Sequence, residues 1–311
     1  MKTRTLGDTG IHVSEVGFGA WQLGNDKDWS AMTETEAMHL VHAALSEGCN
    51  FFDTAPNYGS GNSETLLGKA LKGKRDQVVI NTKFGHHADG TLNFDVNALR
   101  YSVEGSLRRL QTDYVDTILL HNPPYELLNG DSPHYEVLEQ LKAEGKIRAY
   151  GASVDSSKDM LQLIETTNSK VIEVLFNIMH QETTQAFNKA KEKGVGLIAK
   201  VPLDSGWLSG KYDAGSVFHD IRSRWTDADK VRRTALIQQI KELTHYEPKL
   251  NRTALRFILA HEEISTVIPG VKNLSQLQEN MAAASERMPQ ELVEKLHEFW
   301  REHIEKQPLP W

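Results

Sequence analysis

Short apolar runs alternate along this chain with longer stretches whose apolar residues recur every three or four positions. The first pattern fits buried strands, and the second fits helices with one face against a core. In 34–47, Ala37, Leu40, Val41, Ala44 and Leu45 share one helical face, and Gly48 supplies the stop. In 95–110, Val96, Leu99, Val103, Leu107 and Leu110 do the same. The chain opens with Arg4-Thr5-Leu6-Gly7, the turn Asp8-Thr9-Gly10 and Ile11-His12-Val13, which read as a β-hairpin. Core strands are predicted at 16–19, 49–53, 78–83, 115–121, 147–152, 171–176, 195–201 and 266–268. Helices are predicted at 34–47, 63–71, 95–110, 135–143, 157–166, 183–193, 228–243, 253–261, 274–284 and 290–304. Ser63 is the expected cap of the second.

Repeated strand–helix units predict a parallel sheet. Eight of them in 311 residues predict an α/β chain closed into a (β/α)8 TIM barrel, with an N-terminal β-hairpin and extra C-terminal helices. An open doubly wound sheet fits the same alternation. The phosphate loop of that fold, G-x-G-x-x-G, is not completed, because Gly17-Phe18-Gly19 continues as Ala20-Trp21-Gln22.

Barrel active sites lie at the C-terminal ends of the strands. Three predicted strands end there in ionisable side chains, Asp53, Lys83 and His121, and Tyr58 follows the first in the turn-rich segment Ala55-Pro56-Asn57-Tyr58-Gly59. Singly, each has an ordinary reading: a turn carboxylate, a surface tyrosine, a solvated lysine, a loop histidine. Together they suit proton transfer to a carbonyl oxygen. Tyrosine is a weak acid with a pKa of about 10, and a nearby Lys83 ammonium is expected to lower it. Asp53 would keep Lys83 charged, and His121 would orient the carbonyl by a hydrogen bond. The hydride for the carbonyl carbon must come from a cofactor, since no side chain carries one.

Composition narrows the partners. The formal net charge of -7 argues against a nucleic-acid backbone, and the pairs Arg108-Arg109 and Arg232-Arg233 read as solvated helix faces. The single cysteine, Cys49, can make neither an intramolecular disulfide nor a thiolate metal site. No apolar run approaches the roughly 20 residues of a membrane span, and the first residues lack a signal-peptide core. The expectation is a soluble cytoplasmic protein with a small-molecule substrate and neither a nucleic-acid nor a membrane partner. The sequence is silent on oligomeric state. His39 and His42 lack a carboxylate that would complete a zinc motif, and His86-His87 read as solvated loop residues, with substrate contact as the second reading. Trp21, Trp29, Trp207 and Trp225 fall in loops after strands, where tryptophans often wall apolar pockets; core packing or lid contacts are the competing reading.

In order along the chain stand Gly17-Phe18-Gly19-Ala20-Trp21, Phe52-Asp53-Thr54-Ala55 with Tyr58-Gly59, and Thr82-Lys83. Then come Ser106-Leu107-Arg108-Arg109-Leu110, Asp113-Tyr114-Val115-Asp116, Leu120-His121 and Gly151-Ala152-Ser153. Late in the chain are Pro202-Leu203 with Gly206, Ser209-Gly210-Lys211, Ile268-Pro269-Gly270 and Glu279-Asn280. This set resembles the aldo-keto reductase family over nearly the whole chain, so 1–311 is read as one barrel domain of that type. The resemblance implies a nicotinamide cofactor across the C-terminal face, Tyr58 as proton donor, and Asp53, Lys83 and His121 as its partners. It places Gly19, Ala20, Trp21 and Asp53 at the nicotinamide and Ser153 at the carboxamide. Pro202, Leu203, Ser205, Gly206 and Lys211 would wrap the pyrophosphate. Gly270, Lys272, Gln276, Glu279 and Asn280 would hold the adenosine end. Lys272 suits a 2′-phosphate and points to NADPH, with NAD as the alternative.

Three positions depart from the family pattern. Val154 stands where an asparagine follows the serine, Glu173 where a glutamine is usual, and Lys200 where a stacking residue is usual. Lys200 is expected to hydrogen-bond at the cofactor site or to pair with Glu173. The leading functional reading is an NADP(H)-dependent reductase of aldehydes or ketones, or the reverse alcohol or sugar dehydrogenase. Its rivals are a non-catalytic nicotinamide-nucleotide-sensing or auxiliary protein on the same fold, and an unrelated barrel isomerase or lyase. Retention of all four proton-transfer residues favours the first.

Overall fold

The structure is a computed structural model that describes residues 1–245 and 249–311. The N-terminal hairpin pairs β1 (Thr3–Thr5) with β2 (His12–Ser14). Eight parallel strands follow: β3 (Phe18–Gly19), β4 (Phe51–Asp53), β5 (Val79–Phe84), β6 (Val115–His121), β7 (Ile147–Val154), β8 (Val171–Leu175), β9 (Gly196–Lys200) and β10 (Ile264–Val267). Each pairs with its neighbour in sequence. The ring closes where the Gly17 N–H donates to the Val267 carbonyl at 2.8 Å, and the Gly19 N–H to the Pro269 carbonyl at 3.1 Å. The predicted closed (β/α)8 barrel is therefore the observed fold, and closure removes both sheet edges.

Residues two apart on a strand point the same way. One inward row begins apolar and ends polar: Phe51 then Asp53 on β4, Val79 then Asn81 and Lys83 on β5, Val171 then Glu173 on β8. The apolar layer packs with Leu6, Ile11 and Val13 of the hairpin segment, which seal the N-terminal end. The polar layer is left at the C-terminal mouth. Gly151 makes this closeness possible on β7: a Cβ there would lie 1.7 Å from the Val171 carbonyl oxygen of β8.

Outside lie α1 (Glu34–Ser46), α2 (Asn62–Ala70), α3 (Val96–Leu110), α4 (His134–Ala143), α5 (Ser157–Thr166), α6 (Phe187–Glu192), α7 (Asp227–Leu243), α8 (Leu250–Leu259), α9 (Leu274–Ala282) and α10 (Gln290–His303). Two expectations change. Helix α2 is capped by Gly61 at a left-handed φ of 88°, with no side-chain cap. Ser63 is instead buried, donates to the Ala20 carbonyl at 2.8 Å and shares a hydrogen bond with Thr54, tying α2 to the mouth. The stretch expected as one helix at 183–193 begins as a 3-10 turn, Glu182–Ala186, before α6. Among the described residues no helix is long and apolar enough to cross a membrane.

Gly151→Ala should destabilise the protein by about 3 kcal/mol, since backbone cannot yield as a flexible side chain does. Urea denaturation measures this; a change below about 0.5 kcal/mol would show that β7 and β8 separate freely.

Candidate active site

The polar layer is organised around one ammonium. Lys83 is fully buried and donates to Asp53 Oδ2 at 2.6 Å and to the Thr54 carbonyl at 3.1 Å. Its Nζ also lies 3.2 Å from Glu173 Oε2. Asn81, between the carboxylates, donates to Asp53 Oδ2 at 2.6 Å. Tyr58 lies beside this cluster, with Lys83 Nζ 5.3 Å from its ring centre. Trp21 stacks on Tyr58 at 5.9 Å, and His121 meets it edge-on at 6.0 Å.

Charge follows from this packing. Burial works against the Lys83 charge, but Asp53, Glu173 and Tyr58 together hold its pKa above the ordinary lysine value. Burial and the neighbouring Glu173 carboxylate push Asp53 up, against the pull of Lys83. Burial also raises Tyr58; Lys83 pulls it down, and the two carboxylates push it further up. The lowered tyrosine expected from sequence is thus reversed, because burial outweighs the pull of Lys83 and two carboxylates add to the rise. Burial, then the charges of Lys83, His86 and Lys200, take His121 well below its usual value, so its ring is neutral.

Lys200 does not pair with Glu173. It pairs with Asp155 at 2.8 Å and donates to Ser153 Oγ at 2.8 Å and to Asn122 Oδ1 at 2.9 Å. Ser153 stands between the two, donating to Glu173 Oε1 at 3.1 Å. Val154 turns away from the mouth and is buried in the main hydrophobic cluster.

A cleft of about 1130 Å³ runs from Trp21, Tyr58 and His121 to Lys272, Gln276 and Asn280. The loop after β9 forms its middle wall. There Val201, Asp204 and Ser205 take left-handed φ values of 54°, 46° and 53°, and Gly206 follows at 99°. Such values are strained for residues with side chains and mark functional loops, and backbone of this kind makes anion-binding concavities. Asp204 is held by Arg233 at 3.1 Å and His180 at 3.3 Å, all but His180 fully buried. Burial opposes the Asp204 charge, yet these partners hold its carboxyl below the ordinary carboxylate range. Lys211, Arg222, Arg224 and Lys272 line the same stretch. Glu279 is held by Arg252 at 2.8 Å and by Lys249, and Gln276 Oε1 accepts the Lys272 N–H at 2.9 Å. Gln22, Trp29, Asn57 and His121 line the cleft, and each has a buried side-chain polar atom without a protein partner. Buried polar groups in this state look for a ligand.

Of the residues predicted for catalysis or cofactor contact, Ala20, Lys83 and Ser153 are sealed beneath the floor. The others line the cleft: Gly19, Trp21, Asp53, Tyr58, His121, Glu173, Lys200, the 202–211 group and the 270–280 group. Three predictions about rings change. Trp207 is fully buried against Tyr212 and Phe218, Trp225 is buried under Arg233, and neither walls the cleft. His86 is half-buried and lines it, its ring centre 4.7 Å from that of His121. Trp311 of the C-terminal tail lines it, as the sequence allows, and so do Asp155 and Arg222, which no motif signalled.

A closed barrel whose mouth joins an acid–base cluster to a long cation-lined cleft is the architecture of an oxidoreductase with a dinucleotide. The model of the Aldo/keto reductase family matches residues 15–301, and the chain belongs to that family. It is 32% identical over 295 residues to L-galactose dehydrogenase of Arabidopsis thaliana, covering 92% of this chain and 89% of that one. It is 29% identical to an NADH-specific methylglyoxal reductase of Escherichia coli, covering 91% and 93%. Among solved structures it is similar to the holo form of aldo-keto reductase AKR11C1 from Bacillus halodurans, at 28% identity with a TM-score of 0.84 and full coverage of both chains.

Arg233→Ala should cost about 3–5 kcal/mol, because Asp204 loses its main buried counter-charge. Adding Asp204→Asn should recover part of that loss in urea denaturation. A single-variant loss below about 1 kcal/mol would contradict the pairing.

Proposed function

We propose that this protein is an NADP(H)-dependent oxidoreductase that reduces aldehyde or ketone carbonyls to alcohols, or runs the reverse, with Tyr58 as proton donor. The observation that carries this is the convergence of Tyr58, Lys83, Asp53 and His121, from separate strand ends and loops, at one end of a dinucleotide-sized cleft.

The residues present fit the nucleotide. The unpartnered polar atoms of Gln22, Asn57 and His121 line its path, the strained 201–206 loop offers backbone to a pyrophosphate, and the lining cations match its charge. When bound, the nicotinamide supplies or takes up the hydride. Gly19, Trp21, Glu173 and Lys200 border that end, with Ala20 and Ser153 behind them. Pro202, Leu203, Ser205, Gly206 and Lys211 hold the middle, and Gly270, Lys272, Gln276, Glu279 and Asn280 the far end.

Tyr58 is protonated at neutral pH, so it gives its proton to the carbonyl oxygen as the carbon gains hydride. Lys83 stabilises the tyrosinate left behind, and Asp53 and Glu173 keep Lys83 charged through the cycle. Neutral His121 offers one ring N–H to the carbonyl and no competing charge. Lys272 supports the choice of NADP: it is in no ion pair among the described residues, and burial, with Arg222 nearby, lowers its pKa. A phosphate would relieve both penalties. The NADH-specific relative makes NAD the alternative.

Tyr58→Phe should lower turnover by about 10²–10⁴-fold while nucleotide affinity changes less than about twofold. Steady-state kinetics with a panel of aldehydes, beside a fluorescence titration, tests this; a near-normal rate would remove Tyr58 as the acid. Lys272→Ala should weaken NADPH about tenfold or more and NADH little, corresponding to the loss of one phosphate contact. Equal weakening of both would remove the 2′-phosphate assignment.

A further inference from the structure

Two buried carboxylates share one ammonium at the inner end of the barrel mouth. Lys83 is flanked by two carboxylates, Asp53 and Glu173, which are 3% and 2% exposed. The second ammonium, Lys200, is matched by Asp155, and the His121 ring is neutral. Glu173 is thus a second buried carboxylate beside one ammonium on the floor of the cleft, and burial together with Glu173 pushes Asp53 up to about 7. The sequence places both carboxylates at the cofactor site but pairs only Asp53 with Lys83; the contact of Glu173 with Lys83 is new. Glu173 has both oxygens engaged: Oε1 by the Ser153 hydroxyl, Oε2 by Lys83 and, at 3.4 Å, by Asn81. It lines the cleft at the end shared with Tyr58 and His121.

This inference rests on the reading that the cleft binds a nicotinamide nucleotide. That ring carries a positive charge when oxidised and none when reduced, while the rest of the nucleotide is unchanged. A fixed charge in a desolvated mouth therefore acts on one redox form and barely on the other.

We propose that Glu173, acting beside Asp53, sets the redox preference of the nucleotide site, holding the oxidised nucleotide more tightly relative to the reduced one than a neutral side chain would. Its consequence for the reaction follows from linkage. Favouring the oxidised form on the protein draws carbonyl reduction forward at the site: the carbon gains hydride, the oxygen gains the Tyr58 proton. The same preference slows departure of the oxidised nucleotide. Glu173 is a positioning residue here, acting through Lys83 and through its field.

Glu173→Gln keeps size and most hydrogen bonds and removes the charge. Tryptophan-quenching titrations with NADP+ and NADPH separately, and with NAD+ and NADH, give the ratio of oxidised to reduced dissociation constants. The ratio should rise about tenfold or more in Glu173→Gln, through weaker binding of the oxidised form. Glu173→Asp should stay near the native ratio. Asp53→Asn removes the other carboxylate, should move the ratio the same way, and carries the test if Glu173→Gln melts early. Equal weakening of both redox forms, or an unchanged ratio, overturns the proposal and leaves Glu173 a structural residue. Failure of the native protein to bind any of the four nucleotides overturns the functional reading itself.

Discussion

One interaction orders this mouth: the Lys83 ammonium held without water between Asp53 and Glu173. Burying such an ion costs several kcal/mol unless its donors are filled. Here two carboxylates and the Thr54 carbonyl fill them. Those groups come from β4, β5 and β8 and the turn after β4, so they meet only when the barrel closes. Closure rests in turn on features far from the chemistry: the hairpin plug of Leu6, Ile11 and Val13, and the side-chain-free approach of Gly151 to β8. Burial, and after it the cluster's charge, sets the states of the neighbours. Tyr58 is kept as an acid with its proton on, and His121 as a neutral ring.

The fold was largely legible because strand and helix periods differ and because eight βα repeats admit few architectures. The strand-end residues were legible for a related reason. Asp53, Lys83 and His121 each interrupt the end of an apolar run, where packing alone would have kept an aliphatic side chain. What could not be read was which of them touch. Glu173 and Lys83 are 3.2 Å apart in space but far apart in the chain, and Lys200 chose Asp155 over Glu173 because Ser153 separates the two. The direction of the Tyr58 shift failed too. One ammonium predicts a fall, but burial of the hydroxyl, with the two carboxylates adding to it, turns it into a rise. Ser63 was misjudged as a cap because a serine ahead of a helical stretch looks alike whether it faces water or the barrel.

The far half of the cleft is held differently. The left-handed residues at 201, 204 and 205 persist because a fully buried ion pair pins Asp204 to Arg233 of α7. Arg233 also donates to the Pro310 carbonyl at 2.7 Å and lies 3.9 Å over the Trp225 ring. The loop proposed for the pyrophosphate and the segment carrying Trp311 to the cleft are thereby braced by one guanidinium. Rigid bracing of this kind lets a loop present backbone to a ligand without ordering it on binding.

The central claim is that Tyr58 stands protonated beside a charged lysine because the site is buried and holds two carboxylates. The direct test is a tyrosinate difference titration, comparing ultraviolet absorbance of the native protein and its Tyr58→Phe variant as pH rises from neutrality. The account predicts no Tyr58 tyrosinate up to the ordinary tyrosine value of about 10. A Tyr58-dependent signal appearing near neutral pH would show that Lys83 outweighs burial and the carboxylates together, and would contradict it.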